Sequence, residues 1–365
     1  MSSPVRNRVP QTEPTLSATL AKHVGAPPAP PAVRRQSRAA LRAAGLAASV
    51  LLLAAVAVLS IAVGAKQLPL TDVWQGLLDR DAAEYAVVHR MRLPRTLLGL
   101  LAGASLGVAG AVMQALTRNP LADPGLLGIN AGASAAVASG ALLFGIGGVS
   151  GQVWFALLGA AVVTAAVYAV GGGRGATPAR LALAGAALNA TLYSYVSAVM
   201  LMDTASLERL RFWTVGSLAS AEPPTVRTVA PFMAAGLLVA LAVARPLNAL
   251  ALGDDAARAL GARPALVRSA VILAITLLCG AATAACGPIV FVGLLVPHLV
   301  RALTGPDLRW LLPYCAVLAP VLLLGADVLG RVLSRPGELQ VGLVTAVAGG
   351  PLFLWLVLRG RVAHP

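Results

Sequence analysis

Charge-free apolar runs recur along the chain at 43–65, 96–117, 181–202 and 339–358, with slightly shorter ones at 228–244 and 310–326. A bilayer core of roughly 30 Å takes about 20 apolar residues of helix, so runs of this length predict membrane-spanning helices. Two longer runs, 124–173 and 269–300, must each fold back once. Polar punctuation then divides the chain into ten predicted helices: 43–65, 86–117, 129–144, 150–172, 178–202, 228–244, 265–285, 293–303, 308–332 and 341–359. The eighth is too short to cross alone and is expected to pair with a re-entrant Gly287-Pro288 segment buried in protein. The predicted fold class is all-α, a polytopic membrane protein.

Composition agrees. Hydrophobic residues make up 58% and charged residues 12% of the 365, against about 25% charged in soluble domains, and the mean hydropathy is +0.81. Residues 1–35 differ: they are rich in Pro and Ala, include Ala26-Pro27-Pro28-Ala29-Pro30-Pro31, and are expected to form a disordered cytoplasmic tail. Residues 36–361 then form the transmembrane domain. The net charge of +14 does not indicate nucleic acid, because the positives sit between apolar runs and form no basic face interleaved with aromatics. An even number of helices puts both termini on one side. Arg34, Arg35, Arg38 and Arg42 at the start, and Arg359 and Arg361 at the end, mark that side as cytoplasmic. Arg92, Arg95, Arg209, Arg211, Arg331 and Arg335 then fall on the outer side, against the usual bias, which calls for a cause.

Several chemistries drop out. No phosphate-loop pattern is present, and the only lysines are Lys22 and Lys66. The four histidines are scattered, and Cys279, Cys286 and Cys315 lie in apolar runs without ligand spacing. No catalytic residue, metal ligand or resident cofactor is expected. Asp327 and Arg331 stand at i,i+4 and suit an ion pair, while Gln114 and Asn189 suit bonds between helices. Gly99, Gly103 and Gly107, with Ala111, form a small-residue stripe for close helix packing. Leu101-Ala102-Gly103-Ala104, Gly110 and Pro120 align with Leu278-Cys279-Gly280-Ala281, Gly287 and Pro297 at constant offset, which suggests an inverted repeat; chance matching is the rival in so Ala/Gly/Leu-rich a chain. The loop 245–264 holds one short helix, opened by Asp254 and closed by Gly261, with Leu252, Ala256, Ala257 and Leu260 as an apolar face. It either caps the bundle or is a docking knob for a cytoplasmic protein.

Arg92-Leu-Pro-Arg95, Gly110-Ala-Val-Met-Gln114, Asn119-Pro-Leu-Ala-Asp-Pro-Gly-Leu-Leu-Gly128 and Ala249-Leu-Ala-Leu-Gly253 resemble the FecCD permease family. So do Gly293-Leu-Leu-Val-Pro-His298, Leu324-Gly-Ala-Asp327 and Gly342-Leu-Val-Thr-Ala346. These are membrane subunits of type II ABC importers for iron-siderophores, haem and cobalamin. The resemblance implies two permease subunits, identical or homologous, in the plasma membrane, two ABC ATPases that hold the ATP and Mg, and an extracytoplasmic substrate-binding protein. It further implies that Arg92, Arg95 and Arg331 dock the binding protein and that Leu252, Gly253, Asp254, Ala257, Leu260 and Gly261 couple to the ATPase. Thr177, Pro178 and Ala179 would form the cytoplasmic gate, although relatives carry hydroxyl residues where this chain has Pro178 and Ala179. The cargo implied most often is a ferric siderophore. An ion-gradient-driven secondary transporter is the alternative.

Overall fold

The computed structural model describes residues 32–146, 149–171, 178–202, 213–335 and 337–358. The first helix, α1 (Ala32–Ala62), begins ahead of the 35/36 border read from composition, and it runs across the boundary between residues 1–43 and a compact unit formed by 44–365. The rest of the expected tail, 1–31, lies outside the described residues. The contacts that follow are those of the larger unit.

A short helix α2 (Leu70–Leu78) precedes α3 (Tyr85–Thr117). Within α3 the turn Val88–Arg92 is π-helical, with the Leu93 N–H donating to Val88 O. The widening sits just ahead of Pro94, whose ring would otherwise press on the carbonyl one turn back. Arg118 closes α3 in the left-handed conformation (φ 51°), and the Asn119 N–H returns to Gln114 O at 3.1 Å. A 3₁₀ turn, Pro124–Leu127, leads to α4 (Ile129–Phe144), followed by α5 (Val149–Gly171) and α6 (Pro178–Met202). Then come α7 (Pro223–Leu250), the short α8 (Asp254–Ala259) and α9 (Pro264–Cys286). The chain closes with α10 (Val292–Thr304), α11 (Leu308–Leu333) and α12 (Val341–Leu358).

The ten apolar helices predicted are all present among the described residues; seven are long and apolar enough to cross a membrane by themselves. Three are shorter, at Ile129–Phe144, Val292–Thr304 and Val341–Trp355, where the sequence pattern had singled out only the eighth. That one, α10, follows a non-helical segment that starts at Gly287 (φ 71°), whose N–H returns to Thr283 O at 2.8 Å, just after Cys286 O accepts the Ser217 N–H at 2.7 Å. This is how irregular backbone persists at membrane depth.

Helix α3 forms the centre, with 78% of its most apolar window buried, whereas α1 and α6 bury 6% and 17% of theirs. The glycine stripe explains one side of this core. A Cβ on Gly103 would stand 2.5 Å from Pro320 Cα, and one on Gly107 would stand 2.8 Å from Cys315 O. The stripe therefore seats α11 against α3 within one chain. The repeat does not hold residue by residue: Gly110 is helical and pressed on the Gly293 carbonyl, while its partner in the alignment, Gly287, ends a helix at positive φ. Pro120 lies in a loop and Pro297 inside α10.

Candidate docking and coupling sites

Antiparallel packing of α3 and α11 brings the start of one beside the end of the other. Asp327, fully buried, accepts Arg95 Nη2 at 2.8 Å and Arg331 Nη2 at 2.9 Å, so the expected i,i+4 ion pair is present with a second arginine added. Arg95 Nη1 also reaches Glu338 Oε2 at 2.7 Å. The other two guanidinium groups face the end of α1, whose last carbonyls have no partner inside the helix. Arg92 Nη1 donates to Ile61 O and Ala62 O, both at 2.8 Å, and its Nη2 to Lys66 O at 2.9 Å. Arg331 donates to Ser60 O at 2.9 Å, to Ser60 Oγ at 3.0 Å and to Val63 O. Two cations thus cap the negative end of a helix dipole.

All three predicted docking arginines line one 300 Å³ pocket, together with Lys66, Met91 and Glu338. They differ from expectation in how freely they are offered. Arg92 and Arg331 are 5% and 1% exposed and are occupied by the chain's own oxygens. Arg95 is the arginine whose present partner, Glu338, is itself partly exposed, at 30% of its side chain. Arg92 and Arg331 thus staple the end of α1 to α3 and α11, Arg95 joins α3 to α11, and Arg209 and Arg211 lie outside the described residues.

At the opposite end of the bundle, α7 runs out into the loop that carries α8. As expected, Asp254 opens α8, with Gly253 (φ 107°) as the residue that caps it, and Gly261 (φ 81°) ends the turn. A left-handed φ of this kind favours glycine at both hinges. Asp254 pairs with Arg268 at 2.8 Å and stands 3.7 Å from Arg118. Arg118 also donates to Leu250 O, tying the end of α3 to the end of α7. The expected apolar face is split: Ala257 is fully buried, whereas Leu252 and Leu260 are 69% and 67% exposed. Ala257 faces the bundle, and the leucines on either side of α8 stand outward.

Of the gate residues, Thr177 lies outside the described residues, Pro178 occupies the first position of α6, and Ala179 is exposed. Proline is pre-organised for that position. Helix α6 packs through Leu181, Gly185, Val196 and Val199 and leaves Leu183, Tyr193, Tyr195 and Leu201 outward. Beside it a 290 Å³ cavity is lined by Asn130, Ser134, Tyr193, Val215, Pro288 and Gly342, among others. Asn130 Oδ1 accepts Thr283 Oγ1 at 2.8 Å. The block Asn119–Gly128 serves this packing. Asp123 Oδ1 accepts the Gly125 N–H at 2.7 Å, and Asn189 Nδ2 donates to Gly125 O at 3.0 Å, which joins the connector to α6. Burial pushes the Asp123 carboxyl up, with the Gly125 bond acting against it. Gln114 likewise bridges helices, donating to Leu294 O and accepting from Arg301, both at 3.1 Å. Arg301 is buried within α10. Cys279, Cys286 and Cys315 are free and buried.

Ser60, Glu338 and Arg268 escaped the sequence reading. Glu338 stands 243 positions from Arg95, and no local pattern links the two.

The sequence matches the FecCD transport family over residues 51–359. It is 47% identical over 327 residues to the ferric enterobactin transport system permease protein FepD of Escherichia coli, covering 88% of this chain and 97% of that protein. It is 41% identical over 304 residues to the Fe(3+)-citrate import system permease protein YfmD of Bacillus subtilis, covering 83% and 91%. Among solved structures it resembles a metal-chelate type ABC transporter in an inward-facing conformation, with TM-score 0.75 and 30% identity, over 86% of this chain and 98% of that one.

Proposed function

Because this chain belongs to the FecCD transport family, we propose that it carries a ferric siderophore into the cytoplasm, driven by ATPases that seat on α8. The chain is a multi-pass, non-catalytic permease subunit of an ABC importer, and such subunits work with ATPase and other subunits. The cargo is inferred from the relatives, whose names specify ferric enterobactin and Fe(3+)-citrate.

The observation that carries the coupling role is the exposure of Leu252 and Leu260 on either side of a helix whose Ala257 is buried and whose Asp254 pairs with Arg268. Two leucines on a rigid stub fit an apolar cleft on a partner and transmit its displacement to α7 and α9, which flank α8. Gly253 and Gly261 give the stub its bends. At the other end, the arginine pocket suits a carboxylate from an extracytoplasmic binding protein. An incoming carboxylate would compete with Glu338 for Arg95, since Arg95 presents a planar fork that binds carboxylates bidentately. Both termini lie in the cytoplasm, with the α8 end inside. Two permease subunits, identical or homologous, enclose the path along the outward faces of α6 and the neighbouring cavity, with 177–179 as its cytoplasmic gate.

In this mechanism the loaded binding protein docks over the arginine pocket, and the chelate enters the path between the two subunits. ATP binding closes the ATPases and presses the stub. The path changes its open side because nucleotide binds one state more tightly than the other. The rival, an ion-driven carrier, needs an exchangeable group in the membrane. Asp327, which is fully buried in α11, is engaged with two arginines.

The test is reconstitution of the permease with its ATPase and binding protein in liposomes, followed by uptake of radioiron-labelled ferric siderophores. Uptake that needs both partners and ATP is expected. Accumulation by the permease alone under a proton or sodium gradient would overturn the reading.

A further inference from the structure

Helix α2 is anchored by one side only. Val73 is 6% exposed and Gly76 is buried against the Glu84 backbone and Val88, while His89 Nε2 meets Leu77 O at 3.2 Å. Along another edge, Leu70, Trp74 and Leu78 recur every four residues and are 72%, 63% and 67% exposed. Between that edge and the last turns of α1 lies a 470 Å³ groove lined by Val58, Ile61, Ala62, Leu70, Val73 and Trp74, with Thr71 as its one hydroxyl.

Such a groove does not suit water, which needs two to four polar partners. What covers it is indicated by the surface it continues. Val58, on the groove wall, is 66% exposed and belongs to the outward surface of α1, together with Leu51, Leu52 and Leu59. Helix α1 contains a 24-residue apolar span, Ala39–Ala62, with 6% of its window buried, so this surface faces hydrocarbon. The groove opens from that surface at the level where the span ends. A tryptophan at this depth matches the interfacial belt, where its ring is buried and its N–H stays near headgroups.

We propose that the groove between α1 and α2 is a lipid site: it takes one phospholipid acyl chain, and α2 lies in the interface with Leu70, Trp74 and Leu78 dipped into the bilayer. The hydrophobic effect, about 25 cal/mol per Å² of apolar surface covered, supplies the driving force. The lipid chain would fill the gap beneath the Arg92 and Arg331 staples, so this end of the permease is seated on the membrane and does not hang free in water. The inference needs only that α1 spans a bilayer, and it does not depend on the cargo.

The test uses the full chain in phosphatidylcholine liposomes. A variant that keeps Trp74 and carries Trp154→Phe, Trp213→Phe, Trp310→Phe and Trp355→Phe reports that ring alone. Lipids brominated on their acyl chains should quench its emission strongly, and aqueous acrylamide should quench it weakly. Quenching by acrylamide but not by bromine would place α2 in water, and protection from both would mean that protein covers the groove; either result overturns the proposal. If the fourfold variant does not fold, the wild-type chain and Trp74→Phe are compared instead. The tryptophan signal lost in Trp74→Phe should be a bromine-sensitive part of the wild-type emission, and a bromine-insensitive part refutes the site.

Discussion

Asp327 is the residue on which the arginine end most depends, and Asp327→Asn removes its charge with almost no change in shape. Three guanidiniums, those of Arg92, Arg95 and Arg331, line the same pocket and face two carboxylates, Asp327 and Glu338. The substitution leaves Arg95 with Glu338 alone and takes from Arg331 the carboxylate it pairs with. Asp327 is fully buried, and its two partners expose 11% and 2% of their side chains, so water cannot replace the lost charge. Breaking a buried pair by removing one partner costs about 3–5 kcal/mol, and this acid serves two partners at once. Glu338→Gln is the control. Its side chain is 30% exposed and it contacts one arginine, which puts its contribution at about 1 kcal/mol or less. Thermal unfolding of purified variants in detergent, followed by intrinsic fluorescence, should show Asp327→Asn well below wild type and Glu338→Gln close to it. A double variant, Asp327→Asn with Arg95→Met, should recover part of the loss, because one orphaned cation is gone while the Arg331 bonds to the end of α1 remain. Equal stability of the two single variants, or no recovery in the double, would refute the claim that Asp327 is the central counter-ion.

Three other perturbations follow from the structure. Gly103→Val places a branched side chain where a Cβ alone would lie 2.5 Å from Pro320 Cα, so α3 and α11 must separate; overpacking of this kind costs about 1–3 kcal/mol, readable as a lower unfolding temperature. Leu252→Glu with Leu260→Glu should leave the isolated permease within about 0.5 kcal/mol of wild type, because both leucines are exposed. The same pair should weaken co-purification of the ATPase and uncouple ATP hydrolysis from uptake; intact uptake would count against the knob. Asp307 caps α11 and accepts from Arg309 at 2.7 Å and Asn248 at 2.7 Å, and the Arg309 bond draws its carboxyl down to about 2. A depressed native value means stability present above the ordinary carboxylate range and lost as pH falls toward 2. Asp307→Asn should therefore flatten the acid limb of an unfolding-versus-pH curve, and an unchanged limb would show that the cap contributes nothing there.

The arginine end shows where reading along the chain stops. Asp327 and Arg331 lie one turn apart, so their pairing follows from helical geometry and was visible as a spacing. Arg95 meets the same aspartate from 232 positions away, a contact created by the stacking of α3 on α11. The glycine stripe marked α3 as a close-packing helix, yet Gly103 and Gly107 did not announce α11 as the partner. Likewise the loop 245–264 advertised a short helix through its Asp and Gly residues. Which of its apolar side chains point inward depended on where α7 and α9 leave it.

Read along the chain alone, residue order settled the number and the approximate ends of the apolar helices, the short eighth helix with its break at Gly287, the i,i+4 ion pair and the family blocks. These rest on interactions within a few residues or on hydrophobic run length, and both are written consecutively. Packing in three dimensions settled which arginines are buried, that two of them cap α1, that Ala257 turns in while Leu252 and Leu260 turn out, and that α2 leaves an apolar groove beside α1. Those outcomes depend on crossing angles and close approaches between segments tens to hundreds of residues apart, and such distances leave no period or spacing in a single sequence.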